Sequence, residues 1–530
     1  MATYRVSNTN APKGFRMSIP YAKQKEVLDE SIKEAIWAFF CEAGTGKSYM
    51  AIETSEYWYT NFDVDAVIIV CPKTLIYGTW ILEEIPKHST VKYNTWGWNN
   101  TFSASLKDDL RKKTKDKNRL LYIVANHDAL KSHKFQMCYN YVKKYRKKIG
   151  WIYDESTAMK ARKSDRTEVS TALADDAVFK RIMTGTPITE SPLDVFSQTE
   201  FLQKGLLGFK TFYGMKTRYC ELRYKKFGNR SFEEVVGYRD LNDLYRRLRK
   251  FSSFLKLTDC ADMPEQISRR IAVPLTKEQI KHYEEMKAFA MTWIEGHNID
   301  AVNALALSVK LHQIAVGQLK LGENQYASIK NDRLETLKDT MEDLNHQCIV
   351  WSVYRNSSLD ILNYLGKRIV GLSTNDTPIV RQEKIQSWKK GNCQGLLLSQ
   401  ASAAHGLTLN EALSSIFYSN SHSLEKRLQA LRRNWRLGQT KKTNIIDMYA
   451  PGTVEVGILA ALEWKAEVAS IITDKKGFVD YINGILPIRG KEDAILVESN
   501  YKYEDHEQEQ PIPEISDEEI IARLLTKESI

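Results

Sequence analysis

Long apolar runs are missing from this 530-residue chain. No stretch approaches the ~18 consecutive apolar residues that a bilayer span needs. Met1 to Pro20 is polar and has no apolar centre of the signal-peptide kind. Cysteine is scarce: Cys41, Cys71, Cys138, Cys220, Cys260, Cys348 and Cys393 are scattered, with no Cys-x-x-Cys pair. That spacing argues against zinc ribbons and a disulfide framework, and it suits a reducing compartment. Acidic residues are in deficit, 66 against 76 Lys and Arg, for a net charge of +10. The deficit is uneven. Residues 500–530 hold nine acidic and three basic residues, a balance of −6, so the remainder carries +16. A basic body with an acidic tail suits a polyanionic partner, although solvated lysines account for many such chains.

At this length two or three domains are expected. The stretch around which they are organised is Cys41-Glu42-Ala43-Gly44-Thr45-Gly46-Lys47-Ser48. It follows the apolar run Ala35 to Phe40 and precedes a helical pattern from Tyr49 to Tyr59. A strand feeding a glycine turn that opens a helix is the setting of a phosphate loop. Gly44 and Gly46 let backbone N–H groups close on phosphate oxygens, Lys47 neutralises the β- and γ-phosphates, and the Ser48 hydroxyl holds Mg²⁺. The strict pattern places glycine where this chain has Cys41. Gln24, about twenty residues upstream, can read an adenine edge or be a surface residue.

Further apolar runs alternate with helical stretches. Val64 to Pro72 and Leu120 to Asn126 read as buried parallel strands. Trp151-Ile152-Tyr153-Asp154-Glu155-Ser156 is a strand ending in two carboxylates. Asp154 can hold Mg²⁺, usually through water, and Glu155 can orient or deprotonate the attacking water. Such a pair is also common on surfaces; its place after a phosphate loop gives it weight. Ala177 to Pro187 is another strand, closing on Thr184-Gly185-Thr186-Pro187, either a simple turn or a relay to a second lobe. Lys107–Lys148 carries fourteen Lys and Arg against four acids, and these can bind phosphates or be solvated helix faces. From about 205 to 328 the alternation lapses; Lys216–Lys256 reads as helical and basic. The βα rhythm returns at Cys348–Trp351, Arg368–Leu372, Gly395–Ser399, Ile416–Tyr418 and Asn444–Met448, as a second parallel sheet demands. Within Gln429 to Gln439, Arg433 and Arg436 are three apart, a spacing that puts them on one face of a helix as a guanidinium pair for a γ-phosphate, or on a basic surface.

The order of these motifs resembles that of the Swi/Snf-type (Snf2-like) ATPases among the superfamily 2 helicase-like proteins, in their minimal bacterial or bacteriophage form. Glu42 to Ser48 resembles motif I, with Gln24 as the upstream adenine-contacting glutamine. Val70-Cys71-Pro72-Lys73 with Trp80 resembles motif Ia, and Asp154-Glu155-Ser156 with Lys160 resembles motif II. Thr184 to Ile188 is similar to motif III, and Ser399 to Leu409, which includes His405 and Gly406, to motif V. The Gln-x-x-x-Arg-x-x-Arg-x-Gly-Gln frame from Gln429 to Gln439 is the closest match, and Gly452 to Glu455 looks like the brace segment that follows it. Ser156, Thr157 and Trp435 depart from the residues usual at their positions.

The resemblance implies an α/β fold of two RecA-like parallel-sheet lobes with helical insertions between them. The expected divisions are a leader at 1–15, an ATP-binding lobe at 16–204, insertions at 205–328, a C-terminal helicase lobe at 329–480, and an extension with the acidic tail at 481–530. It implies ATP and Mg²⁺ as cofactors, with Gln24, Gly44, Thr45, Gly46, Lys47 and Ser48 binding nucleotide. Ser48 and Asp154 would take the metal, and Lys47, Asp154, Glu155, Arg433 and Arg436 would act in catalysis. Thr184, Thr186, Ser399, His405, Gly406 and Gln429 would couple ATP to nucleic acid. The implied activity is duplex-DNA-stimulated ATP hydrolysis driving translocation on DNA or remodelling of DNA–protein complexes, in phage or bacterial DNA repair, recombination or replication, in the cytoplasm of a bacterial or phage-infected cell, without a membrane. The rival readings are a strand-separating helicase on DNA or RNA, a nucleotide-gated DNA clamp, and the motor subunit of a defence complex. The acidic tail would dock a protein partner, occupy the basic cleft, or only solubilise.

Overall fold

A computed structural model describes residues 21–100, 102–227, 230–296, 301–320, 325–373, 375–400 and 409–473. The leader, the extension beyond 473 with its acidic tail, and His405 and Gly406 lie outside the described residues. Among the described residues no helix is long and apolar enough to cross a membrane.

The first lobe is a parallel sheet. Its strands are β1 (Ile36–Cys41), β2 (Ala66–Cys71), β3 (Tyr93–Gly97), β4 (Leu120–Asn126), β5 (Ile149–Asp154) and β6 (Lys180–Thr184). A hairpin, β7 (Cys220–Phe227) with β8 (Arg230–Tyr238), precedes β9 (Ser252–Leu255). The strand order is β3-β4-β2-β5-β6-β1-β9. Every residue of β2 and β4 is buried, which is why these runs are continuously apolar rather than alternating. The expected strands at 64–72, 120–126, 151–156 and 177–187 are all present.

Two buried arginines staple this sheet chiefly through backbone carbonyls, Arg146 also lying 3.9 Å from the Asp65 carboxylate. Arg181 donates to the carbonyls of Ser31, Glu34, Ala35 and Lys180, and its guanidinium lies 4.8 Å from the Trp58 ring centroid. Arg146 donates to the carbonyls of Asp65, Lys113, Asp116 and Arg119. Each fills the acceptor capacity of loops that would otherwise be buried unsatisfied.

The second lobe begins with β10 (Gln266–Ala272) and, after the small hairpin β11 (Gln318–Lys320) with β12 (Tyr326–Ser328), continues through β13 (Cys348–Ser352), β14 (Ile369–Gly371), β15 (Gly395–Ser399), β16 (Ser414–Phe417) and β17 (Thr443–Tyr449). Its order is β10-β17-β16-β13-β15-β14, all parallel. The α/β class and the two parallel-sheet lobes are as expected from the sequence.

The stretch 216–256 corrects in part the expectation of a basic helical segment: it is helical at the end of the helix Phe212–Tyr219 and over the helix Leu241–Leu248. It holds the β7–β8 hairpin and β9, and β9 pairs with β1 from Ala38↔Ser252 to Cys41↔Leu255. The physical reason is period. Cys220 to Phe227 and Arg230 to Tyr238 carry β-branched and aromatic residues, and abundant lysine and arginine masked that pattern. The first sheet thus closes with a strand near 255, and the second opens with one near 266.

Candidate ATP site

The strand order sets the site. β6 lies between β5 and β1, with Phe40 opposite Thr184 and Asp154 opposite Met183. The carboxyl ends of β1, β6 and β5 therefore emerge side by side. With neighbouring strands ~4.8 Å apart, the phosphate loop and the carboxylate pair are separated by about two strand spacings, ~10 Å. The Thr-Gly-Thr-Pro turn sits between them.

At the end of β1 the chain turns through Gly44 (φ +90°) and Gly46 (φ +84°) into the helix Lys47–Phe62. No side chain caps that helix, so its first-turn N–H groups suit an anion. A Cβ on Gly46 would stand 2.2 Å from Gln24 Nε2. That nitrogen donates to the Thr45 carbonyl (2.7 Å), while Gln24 Oε1 accepts from Tyr21 N–H (2.9 Å). Gln24 is buried against the loop, so the surface alternative falls away. Lys47 Nζ donates to the carbonyls of Cys41 (2.8 Å) and Glu42 (3.2 Å). The Thr45 hydroxyl donates to the Glu42 carbonyl (2.7 Å). Cys41 is fully buried, and burial pushes its thiol up to about 12; it serves the site as a small apolar strand residue.

Asp154 closes β5. Trp80 Nε1 donates to its Oδ2 (3.3 Å), and the Glu155 N–H donates to its Oδ1 (3.0 Å). Burial first, and the neighbouring Glu155 second, raise its pKa well above the usual carboxylate range, with Lys47 pulling the other way. A carboxylate so poorly compensated fits a cation, and the donor set of Asp154 and the Ser48 hydroxyl is the all-oxygen kind that Mg²⁺ takes. Glu155 occupies the left-handed region (φ +52°), a strained conformation for a side chain with a Cβ. Its Oε2 accepts from the Thr184 hydroxyl (3.3 Å), whose oxygen accepts from the Thr186 N–H (3.2 Å). Motif III is thus hydrogen-bonded to the carboxylate pair. Ser156 is satisfied where it stands, donating to Gln198 Oε1 (2.7 Å).

His127 was not anticipated. Its Nε2 bonds the Asp154 carbonyl (2.9 Å) and its ring stacks on Tyr153 at 5.0 Å. Burial lowers its pKa to about 4, so it is neutral at pH 7. No spacing in the sequence pairs residue 127 with 154; only the strand order does, with β4 and β5 flanking β2.

From the second lobe comes the turn that follows the helix Leu424–Leu431. Arg433 and Arg436 lie beyond that helix, in successive turns, which corrects their expected helical face. The helix ends because Leu409 N–H takes the Arg433 carbonyl and Asn434 is drawn into the buried bonds with Ser415 and Ala412. Burial and Arg436 lower the pKa of Arg433 to about 10, and Glu155 opposes them. Arg436 is also lowered by burial, with Glu83 and Glu84 pulling up. Gln429 Nε2 donates to Glu425 Oε1 (3.4 Å). Glu425 in turn lies 3.8 Å from Lys160 and accepts from the Thr157 hydroxyl (3.4 Å), both in the first lobe. Ser399 ends β15, opposite Ser352 of β13. A cleft of about 770 Å³ runs between the lobes, lined by Glu155, Lys160, Gln429 and Arg433 and by the cations Lys131 and Arg166.

Arg432 was also missed. Its Nη2 donates to Glu42 Oε1 of the phosphate loop (2.8 Å). The available signal was a third arginine beside Arg433, in a segment already assigned to the other lobe.

Residues 22–346 match the SNF2-related domain, and residues 331–438 the helicase conserved C-terminal domain. The chain is 25% identical over 446 residues to human "DNA annealing helicase and endonuclease ZRANB3", covering 81% of this chain and 38% of that one. It is 22% identical to the Drosophila melanogaster "SWI/SNF-related matrix-associated actin-dependent regulator of chromatin subfamily A-like protein 1" over 81% of this chain and 52% of that one. It is 24% identical to "Putative protein p41" of Acyrthosiphon pisum secondary endosymbiont phage 1, over 55% and 63% respectively. The chain thus spans between 38% and 63% of the length of these relatives. With the SNF2-related match covering more than half of its length, the chain belongs to the Snf2-type ATPases of the superfamily 2 helicase-like proteins.

Proposed function

We propose that this ATPase is a DNA motor, stimulated by duplex DNA, that uses ATP and Mg²⁺ to translocate on DNA or to remodel DNA–protein complexes. The observation that carries the reading is the division of the site: Lys47, Ser48, Asp154 and Glu155 belong to the first lobe, and Arg433, from the second, lines the same cleft as Glu155. Phosphoryl transfer leaves little covalent work to the protein, so catalysis rests on position and charge. The phosphate loop holds the triphosphate, with Gln24 fixing the loop. Mg²⁺, when bound through Ser48 and Asp154, supplies charge neutralisation at the phosphates. Glu155, held by Thr184, orients the attacking water. Arg433 stabilises charge on the transferring phosphoryl group, with Arg436 behind it. Because the arginines arrive only with the second lobe, hydrolysis requires closure, and closure moves one lobe against the other.

The net charge of +10 supports a nucleic-acid partner. The name of the human relative, a DNA annealing helicase, supports DNA. Contacts through phosphates would be sequence-tolerant and salt-dependent.

Steady-state ATP hydrolysis tests the reading, with no nucleic acid, single-stranded DNA, duplex DNA or RNA, and Lys47→Ala as control. Strong stimulation by duplex DNA, followed by displacement of a third strand from a triplex, is expected. Stimulation by single strands or RNA alone would make it a strand-separating helicase. No stimulation by any of them would make it a clamp, or a subunit that needs a partner chain.

A further inference from the structure

Three segments far apart in the chain converge beside the phosphate loop. Glu42 belongs to the loop, Gly185 to the turn after β6, and Arg432 to the second lobe, 390 residues from Glu42. The Arg432 guanidinium donates to Glu42 Oε1 at 2.8 Å and lies 3.4 and 3.5 Å from the Gly185 carbonyl through its two terminal nitrogens. Both charged side chains are largely withdrawn from water, at 12% and 24% exposed. Position 185 leaves room for this only as glycine. A Cβ there would stand 2.6 Å from Arg432 Nη1, and 3.3 Å from both Ala43 N and Glu42 Cα.

Glu42 is the residue through which the loop is built. Its other carboxylate oxygen accepts from the Leu257 N–H (3.0 Å), just past β9. Its N–H donates to the Leu255 carbonyl (2.9 Å). Its own carbonyl accepts from the Thr45 hydroxyl and from Lys47 Nζ. A charge-assisted bond at this carboxylate therefore acts on the residue that anchors the loop lysine.

We infer that Arg432 is a positioning residue that seats the second lobe on the phosphate loop through Glu42, so that lobe closure and the shape of the loop are one linked equilibrium. The inference rests on the ATPase reading above and adds a residue that touches neither phosphate nor the attacking water. Arg432 can hold Glu42 only when the lobes are closed. By linkage, whatever favours closure then favours the loop conformation that Glu42 sets, and the reverse. Arg433, its neighbour, is brought toward Glu155 by the same seating.

The test uses the full chain in four forms besides wild type: Arg432→Ala, Glu42→Ala, the double variant, and Arg432→Lys. At saturating ATP and duplex DNA, Arg432→Ala is expected to lower kcat about tenfold, within the range of measured couplings between sites. The double variant should be no slower than the slower single one, because each removes the same bond. Arg432→Lys should recover part of the loss. Amide hydrogen exchange over residues 41–48 without nucleotide should be faster in Arg432→Ala than in wild type. Unchanged kcat with unchanged loop exchange, or losses that simply multiply in the double variant, would overturn the inference. If wild type hydrolyses no ATP with any nucleic acid, the motor reading fails on its own, and the exchange of the loop still decides the role of Arg432.

Discussion

Arg333→Met is the perturbation whose size follows most directly from the structure. Arg333 and Glu455 form an ion pair in the second lobe with side chains 1% and 4% exposed. Arg333 also donates to the Tyr418 carbonyl (2.6 Å). Glu455 accepts from the Ala450 N–H (2.8 Å) and lies 3.4 Å from His312 Nε2, whose Nδ1 meets the Tyr354 hydroxyl (2.9 Å). One cluster thus ties the helix Ala301–Ala315, the start of the helix Arg333–Leu344, and the segment 452–455 that leads into the helix Val454–Thr473. Burial alone would raise the pKa of Glu455; the pull of Arg333 and the bonds from His312 and Arg333 win and bring it to about 2. Removing the arginine leaves a buried carboxylate without its counter-charge, which costs about 3–5 kcal/mol. For a lobe of this size that is a fall in melting temperature of roughly 10 °C.

The pH dependence distinguishes this cause from lost packing. In wild type the folded pKa of Glu455 is depressed below the ordinary 4.5, so its contribution is present above 4.5 and lost as pH falls toward 2. In Arg333→Met burial dominates and the folded pKa is raised. Stability is then present at low pH and lost as pH rises through that raised value. The gap between variant and wild type should therefore narrow from pH 8 to pH 5. Scanning calorimetry at several pH values reads it. A loss below ~1 kcal/mol, the worth of an exposed pair, or a gap that does not change with pH, would refute the reasoning. Replacing both partners with apolar residues of similar size should recover much of the loss.

The remaining expectations concern the ATP site. Glu155→Gln should bind a fluorescent ATP analogue as wild type does and lose turnover by about 10²-fold or more; full turnover would remove Glu155 from its assigned role. Arg433→Ala should lose turnover about 10³-fold with ATP affinity within about tenfold; weak binding with normal turnover at saturation would contradict it. Gly46→Ala should abolish nucleotide binding measured by titration. Its φ of +84° costs a side chain ~1–2 kcal/mol, and its Cβ would strike Gln24 at 2.2 Å. The logarithm of DNA affinity should fall linearly with the logarithm of salt concentration; a flat plot would argue against a phosphate-held interface.

What the sequence made legible was whatever lies within one strand–turn–helix unit. The phosphate loop, the Asp154–Glu155 pair and the Thr-Gly-Thr-Pro turn each follow an apolar run, and a fully buried parallel strand announces itself by that run. Contacts made by strand order were not legible. His127 meets Asp154 because the sheet brings β4 and β5 to one end of the lobe, and Arg432 meets Glu42 because two lobes face each other. The hairpin strands Cys220–Phe227 and Arg230–Tyr238 were hidden by their own charge, since the lysines, arginines and glutamates among their residues leave no apolar alternation to read. Arg433 and Arg436 have helical spacing, yet Asn434 buries its amide against Ser415 and Ala412 and ends the helix first. Tertiary hydrogen bonding overrode a local period.

The electrostatics of the ATP site explain why its halves are kept on separate lobes. In the first lobe Asp154 is buried beside Glu155, an arrangement that penalises negative charge. In the second, Arg433 is buried beside Arg436, which penalises positive charge. Each lobe holds like charges together, and in the first lobe Lys47 and the bonds from Trp80 and the Glu155 N–H offset only part of the cost at Asp154. Closing the lobes sets Arg433 against the field of Glu155, and a metal–nucleotide complex between them would meet both deficits at once. On the proposed function, closure would then be favoured most with the ligand present and least after its charge has been split and released. On the proposed reading, the same charges that act on the phosphoryl group would also supply the difference in free energy between closed and open lobes, which is the quantity a motor must cycle.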